Sequence, residues 1–239
     1  MVCNKDPEVA MHVPDGFLDA PTSLVTAAVA AVGIGLALKG ARRELDDRTA
    51  PLAGLVATFV FATQMLNFPV AGGTSGHLMG GALAAVLVGP YTGLLCLTVV
   101  LVVQSLLFAD GGITALGTNV VLMGLLTVVG GYAVFRAAQL VLPKRLSMVA
   151  PAAALGGIAS VVLSAAAFVV LYAVGGVVPI PFDTLLAAMV GVHVVIGIGE
   201  AVITFLVVSS IVAVRPDLVH GARRVVAVRE LETRLAVSP

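Results

Sequence analysis

The feature that most constrains this chain is a succession of long apolar runs that are nearly free of charged side chains. A helix needs about 20 mostly apolar residues to cross a bilayer, with a range of about 17–25. Only 11% of the residues are charged, against about 25% in a soluble domain, so the bilayer is the expected solvent. Seven runs are candidate spans: 22–39, 51–67, 76–89, 91–108, 115–138, 150–174 and 184–214.

Gly89 and Pro90 separate the third run from the fourth and allow two interpretations. Pro90 cannot continue the preceding helix, which favours two helices joined by a tight turn. One long helix kinked at Pro90 is the alternative, and it would leave six spans.

The positions of the positive charges favour seven spans. Apart from Lys5, every Lys and Arg lies around the connection between runs one and two, around that between runs five and six, or after run seven. Seven spans place all of these charges on one side of the membrane, which the positive-inside rule makes cytoplasmic. The sequence therefore predicts an all-α integral membrane protein with seven transmembrane helices, an outer N-terminus and a cytoplasmic C-terminus.

Two histidines fall on the predicted outer face. His12 lies near the N-terminus in MHVPDGFLD, and His77 lies in GGTSGHLMGG. The glycines beside His77 allow its loop to approach another backbone segment closely. A single His in either setting is more often solvated or structural, whereas two on one face favour a shared site.

A chain that begins at Met11 offers a set of nitrogen donors for a metal ion. Its free α-amine, the amide nitrogen of His12 and the His12 imidazole can bind one ion in fused chelate rings. His77 can add a fourth nitrogen and close a square. Square-planar nitrogen coordination suits Ni(II) or Cu(II) and excludes hard ions such as Mg²⁺.

Four segments together resemble the CbiM/NikM family: MHVPDGFLD, GGTSGHLMGGALAAVLVGP, VQSLLFADGGITALGTN and GVHVVIGIGEAVIT. Members of this family are the substrate-capture subunits, or S components, of energy-coupling factor transporters for cobalt and nickel. The resemblance covers residues 11–214 and implies a seven-helix fold. It also implies that Met11, through its amine, and His12 and His77 are the metal ligands.

The resemblance implies an ATP-driven importer that works through other subunits. These are a transmembrane coupling subunit and a pair of cytoplasmic ATPases, with a small accessory membrane subunit as a further candidate. The sequence has no GxxxxGK[ST] phosphate loop, so the chain is not expected to be an enzyme and ATP hydrolysis would belong to the partners. Transported Co(II) or Ni(II) and membrane lipid are the expected ligands. No prosthetic group and no nucleic acid are expected.

Other polar residues are candidates for orienting the metal ligands, because a metal-bound imidazole usually gives its second nitrogen a hydrogen-bond partner. The alternative is that they join helices through hydrogen bonds. Glu200 is expected to have that second role, because it lies too deep in the seventh run for a site on the outer face. The candidates near the site are Asn67, Ser75, Gln104, Asp110, Asn119 and His193.

Residues 1–10 depart from the family pattern, because with them attached the Met11 nitrogen is an amide and not an amine. Either translation begins at Met11, or the extension is cleaved, or the site differs. We favour the first explanation. The expected organisation is then an extension at 1–10, a membrane domain at 11–214 and a basic cytoplasmic tail at 215–239.

Two other classes of function remain as alternatives. A stand-alone secondary carrier or channel for a divalent transition metal would be expected to show repeated halves or broken helices at matching positions, and no convincing repeat is seen. An intramembrane enzyme is disfavoured because HExxH and GxSxG motifs are absent from the sequence. Cobalt and nickel, which would supply cobalamin synthesis or nickel enzymes, are not distinguished by the residues.

Overall fold

The structure is a computed structural model that describes residues 12–47, 49–65, 68–70 and 74–228. Helices account for nearly all of it, and a short antiparallel hairpin pairs β1 (Phe68–Val70) with β2 (Thr74–Gly76). A π-helical segment, Val120–Leu126, joins α5 to α6 without a break. The helices are α1 (Ala20–Ala41), α2 (Thr49–Gln64), α3 (Gly81–Val88), α4 (Pro90–Leu107), α5 (Leu116–Asn119), α6 (Thr127–Val141), α7 (Val149–Gly175) and α8 (Phe182–Val214).

Five helical stretches of the described residues are long and apolar enough to cross a membrane. The chain is therefore a multi-pass membrane protein. The helix α2 is shorter, with 16 residues, and α3 has only eight. The five stretches are Ala20–Ala41, Pro90–Leu107, Leu116–Val141, Leu146–Gly175 and Phe182–Val214.

The third run differs from its predicted form. We expected a span over 76–89, but α3 begins only at Gly81, and residues 77–80 are buried without being helical. Eight residues rise about 12 Å, which is less than half of a hydrocarbon core of about 30 Å. The apolar composition of this run suggested a full transmembrane span. It instead reflects burial of α3 on every side by protein, because a helix surrounded by protein and one surrounded by lipid are both apolar.

The chain turns back between α3 and α4, as expected from Gly89 and Pro90. Gly89 has φ 98° and ψ 155°, and α4 begins at Pro90. A Cβ added to Gly93 would lie 3.0 Å from the amide nitrogen of Ala85, so the two helices lie side by side. The carboxyl group of Glu44 accepts hydrogen bonds from the amides of Tyr91, at 3.3 Å, and Thr92, at 2.7 Å, at the start of α4.

The packed core extends past the predicted boundary between membrane domain and tail. Val219 and Ala222 are fully buried. The carbonyl oxygen of Gly221 accepts a hydrogen bond from Nε2 of Gln139 at 3.0 Å, which holds this segment against α6. Residues 219–222 therefore pack against the helical bundle.

Small residues allow the helices around α3 to approach it closely. All eight residues of α3 are buried, and the helix contacts α2, α4, α6, α7 and α8. A Cβ added to Gly131 in α6 would lie 2.5 Å from the Cβ of Ala82 and 3.0 Å from that of Ser160. Gly131 thus sets the distance of α6 from both α3 and α7.

We expect Gly131→Ala to destabilise the protein by about 1–3 kcal/mol, because the added methyl group forces α6 away from α3 and α7. Gly54→Ala in α2 is a matched control, since nothing lies within 4 Å of its added Cβ. Thermal unfolding of the two purified variants in one detergent measures the difference. Equal unfolding temperatures would contradict this account of the packing.

Candidate metal centre

The segment that follows Met11 is held inside one end of the bundle by hydrogen bonds to its main chain. The amide of Val13 donates to Oδ1 of Asn119 at 3.0 Å, and Nδ2 of Asn119 donates to the carbonyl of Val13 at 3.1 Å. The amide of Gly112 donates to the same carbonyl at 3.0 Å. The Asn119 side chain therefore hydrogen-bonds to both the N–H and the C=O of Val13, as a neighbouring strand would. These bonds fix the position of the adjacent His12.

The loop between α4 and α5 adds two further constraints. The Thr114 amide donates to Oδ1 of Asp15 at 2.7 Å, and the Thr114 hydroxyl donates to the same oxygen. These bonds, led by the hydroxyl, hold the pKa of Asp15 below its usual value. Gly111 has φ 92°, and a Cβ there would lie 2.8 Å from the Cβ of His12. Only glycine fits this close approach without strain.

The His12 imidazole is buried and faces a carboxyl group. Its Nδ1 lies 2.7 Å from Oδ1 of Asp110, and the residue is 4% exposed. Within the described residues, Nε2 of His12 and Oδ2 of Asp110 have no hydrogen-bond partner. A buried polar atom without a hydrogen-bond partner costs about 1–3 kcal/mol of folding free energy. These two atoms are therefore candidates to contact a ligand.

The second histidine lies directly beside the first. The ring centroids of His12 and His77 are 4.9 Å apart, with planes inclined at 36°. Nδ1 of His77 is 2.9 Å from the carbonyl oxygen of Leu78. A carbonyl can only accept, so Nδ1 carries the proton and Nε2 keeps its lone pair in the neutral ring. A backbone carbonyl that orients an imidazole in this way is common at metal sites.

Two buried side chains hold the non-helical segment that carries His77. The amides of Met79 and Gly80 donate to Oε2 and Oε1 of Glu200, at 2.8 Å and 2.7 Å. From the other side, Nε2 of Gln64 donates to the carbonyl of Met79 at 2.8 Å. The three helices α2, α3 and α8 therefore meet at this segment.

The position of Glu200 corrects our expectation that it lies too deep for the site. Along α8 it is roughly 27 Å from Phe182, near the middle of the helix. The site is equally deep, because α3 is short and residues 77–80 descend into the bundle to reach its first turn. Glu200 thus contacts the segment that carries His77, although its contacts also join helices as we expected.

The other candidate residues have different surroundings. Gln104 is fully buried, and neither amide atom of its side chain has a hydrogen-bond partner among the described residues. Nδ1 of His193 lies 2.7 Å from the carbonyl of Met189 on its own helix. Met11 and Asn67 lie outside the described residues, and Ser75 is described only as part of β2.

The donor set limits how this site could hold a metal. Within the described part of the chain, no three His, Cys, Asp or Glu side chains form a group that could bind one ion. His12 and His77 supply only two side-chain ligands, so an ion between them would need further ligands that are not side chains. Main-chain nitrogens of the adjacent N-terminal segment could supply them.

Gln64 was not among the residues selected from the sequence. A polar side chain in an apolar run is a functional candidate by default, and that signal was present. What the sequence does not show is that Gln64 and Glu200 face one segment from opposite sides, because the two are separated by most of the chain.

We expect Glu200→Gln to loosen the segment that carries His77. One of the two carboxyl oxygens becomes an NH2 group, which cannot accept from an amide, so one buried N–H loses its partner at a cost of about 1–3 kcal/mol. Hydrogen exchange at Met79 and Gly80 should accelerate while α8 stays protected. Gly199→Ala is the control, since its added Cβ has nothing within 4 Å. Unchanged exchange at both amides would disprove the role of Glu200.

Comparison with known proteins places this chain in a family. The profile of CbiM, a cobalt uptake substrate-specific transmembrane region, matches residues 12–218. A protein of Haloquadratum walsbyi, provisionally named a metal transport protein, is 43% identical over 87% of this chain and 93% of its own length. The fused nickel transport protein NikMN of Rhodobacter capsulatus is 33% identical over 94% of this chain and 68% of that protein. A crystal structure of a truncated transition metal transporter aligns with a TM-score of 0.72 and 32% identity, covering 85% of this chain and 99% of the other. The chain therefore belongs to the CbiM family of cobalt and nickel transport membrane proteins.

Proposed function

We propose that this chain is the substrate-capture subunit of an energy-coupling factor importer for cobalt or nickel. The observation that carries the proposal is the pair of buried imidazoles, His12 and His77, whose ring centroids are 4.9 Å apart. An ion about 2 Å from one nitrogen of each ring fits between residues at this spacing. Both rings sit on segments that are hydrogen-bonded through their main chains, so the site is preorganised.

The ligands in this proposal are the amine of Met11, the amide nitrogen and imidazole of His12, and the imidazole of His77. Square-planar nitrogen coordination of this kind favours late transition metals over Mg²⁺ and Ca²⁺. It also accounts for a site with few side-chain ligands, because half of the donors are main-chain nitrogens. The carboxyl group of Asp110 would accept a hydrogen bond from the imidazole N–H of His12, which strengthens the ring as a ligand.

The chelate requires one change at His12. A chelate through the residue's own amide closes through Nδ1, the nitrogen that now faces Asp110 at 2.7 Å. In the metal-bound form the ring would turn about its Cβ–Cγ bond so that Nδ1 faces the ion, and the carboxyl group of Asp110 would have to move to accept a hydrogen bond from Nε2. Nε2 has no hydrogen-bond partner among the described residues, so the turn breaks no bond there.

The proposed topology places the site on the side from which the metal arrives. Seven helices put the N-terminal segment and the loop at 109–114 outside the cell. The basic residues that follow α1, α6 and α8 are then cytoplasmic, in line with the positive-inside rule. A coupling subunit and two ATPases would bind from that side and supply the energy. Co-purification with an ATPase pair distinguishes this role from a self-sufficient carrier.

We expect His77→Ala to abolish high-affinity binding of Ni(II) and Co(II), because it removes one of four ligands. His193→Ala is the matched control, since it removes an imidazole that hydrogen-bonds within its own helix. It should weaken binding by at most about 10–100-fold, as for a residue that acts through a ligand. Titration of the purified proteins measures both affinities. Unchanged affinity in His77→Ala would refute the proposed ligand set, and equal loss in both variants would make His193 a ligand.

The second test concerns the nitrogen of Met11. A chain that begins at Met11 should bind Ni(II) or Co(II) much more tightly than one that retains MVCNKDPEVA, because an amide must lose a proton before it binds and an amine need not. Both forms are titrated at one pH, and mass spectrometry of the natural protein should find Met11 first. Equal affinity of the two forms would show that the amine is not a ligand.

A further inference from the structure

A cavity of about 210 Å³ lies where α6 ends and α7 begins. The connection between these helices and the segment after α8 form its walls. Four cationic side chains line the cavity, and no carboxyl group is found among the described residues that line it. The cations are Arg136, Lys144, Arg145 and Arg224.

Within the described residues, no carboxyl group pairs with these four charges. Arg136 donates from Nη1 to Oε1 of Gln139 at 2.6 Å, which fixes its guanidinium group. No ion pair joins any of the four to a carboxyl group within the described part of the chain. Like charges around one cavity raise its potential, and a bound anion would lower the energy of all four.

Apolar side chains form the remaining wall. Leu142, Met148 and Val225 line the cavity together with the cations. At its edge Leu140 is 81% exposed, and the neighbouring Val141 is 87% exposed. A ligand that fits this lining has an anionic group and an apolar portion, which inorganic phosphate lacks.

The location of the cavity agrees with such a ligand. It lies between the ends of two stretches long enough to span the membrane, Leu116–Val141 and Leu146–Gly175. The cavity is therefore at a membrane surface, whichever side that surface faces. Basic pockets between transmembrane helices at this depth bind anionic lipid headgroups.

We propose that this cavity binds the headgroup of an anionic phospholipid, with its glycerol and upper acyl chain against Leu140 and Val141. The lipid would join the connection between α6 and α7 to the segment after α8, because the cations come from both. This binding site is independent of the proposed metal site and lies in a different part of the molecule.

The test is native mass spectrometry of the purified chain with phosphatidylglycerol or phosphatidylcholine. Lys144→Gln/Arg145→Gln should bind phosphatidylglycerol roughly 10- to 30-fold more weakly, since each Lys or Arg near a membrane surface contributes strongly to anionic-lipid affinity. Lys39→Gln/Arg42→Gln is the matched control, because it removes the same charge from exposed residues that do not line the cavity. Arg224→Gln, also at an exposed residue, is a second variant with an expected loss of about 3- to 10-fold.

Several outcomes would overturn the proposal. Equal loss in the two double variants would indicate only general attraction to charge. Equal binding of phosphatidylglycerol and phosphatidylcholine would exclude a headgroup site. Displacement of the lipid by millimolar inorganic phosphate would show that a free anion is the ligand. If the same substitutions release a protein subunit without changing lipid binding, the cavity is a protein interface.

Discussion

The two hydrogen bonds from Met79 and Gly80 to Glu200 are the interaction on which the rest of the site depends. A backbone that is neither helix nor barrel has no water to satisfy it inside a bilayer, so its polar groups must be paired within the protein. The short helix α3 creates this problem, because it leaves residues 77–80 buried without helical structure beside the middle of α8. The carboxyl group satisfies two amides at the helix N-terminus, where the macrodipole also favours an acidic group. Gln64 satisfies the carbonyl of Met79. These hydrogen bonds hold the segment that carries His77 inside the bundle, where His77 is buried.

The N-terminal segment meets the same constraint with a different residue. It too is non-helical where it enters the bundle, and Asn119 pairs with both polar groups of Val13. Asn119 ends α5, immediately before the π-helical segment Val120–Leu126. Such segments are frequent at functional sites, because they change the direction in which neighbouring side chains point. Three buried amide or carboxyl side chains, those of Asn119, Gln64 and Glu200, thus hold the two segments that carry the histidines through hydrogen bonds to their main chains.

The sequence predicted the membrane location, the turn at Gly89 and the face shared by His12 and His77, because each depends on a local pattern of composition or spacing. It did not predict the length of α3. A run surrounded by protein and a run surrounded by lipid have the same apolar composition, so the residues cannot distinguish them. It also placed Glu200 too far from the site, because the sequence does not show that the residues before α3 hydrogen-bond to the middle of α8. Asp110 and Asn119 were found among the candidates since both flank a span near His12, whereas the contact between Gln64 and Met79 depends on how three helices pack.

The rigidity of the site follows from the hydrogen bonds that join the main chain beside each histidine to side chains on other helices. His12 lies one residue from Val13 and His77 lies two residues from Met79, and the main chains of Val13 and Met79 are paired across the bundle. Displacements of α2, α5 or α8 would therefore reach these two segments through the side chains of Gln64, Asn119 and Glu200. Helix movements that separate these segments would change the spacing of the two imidazoles, on which the proposed metal site depends. In the proposed function the ion must be released as well as bound, and a site held by three separate helices provides a physical means for both.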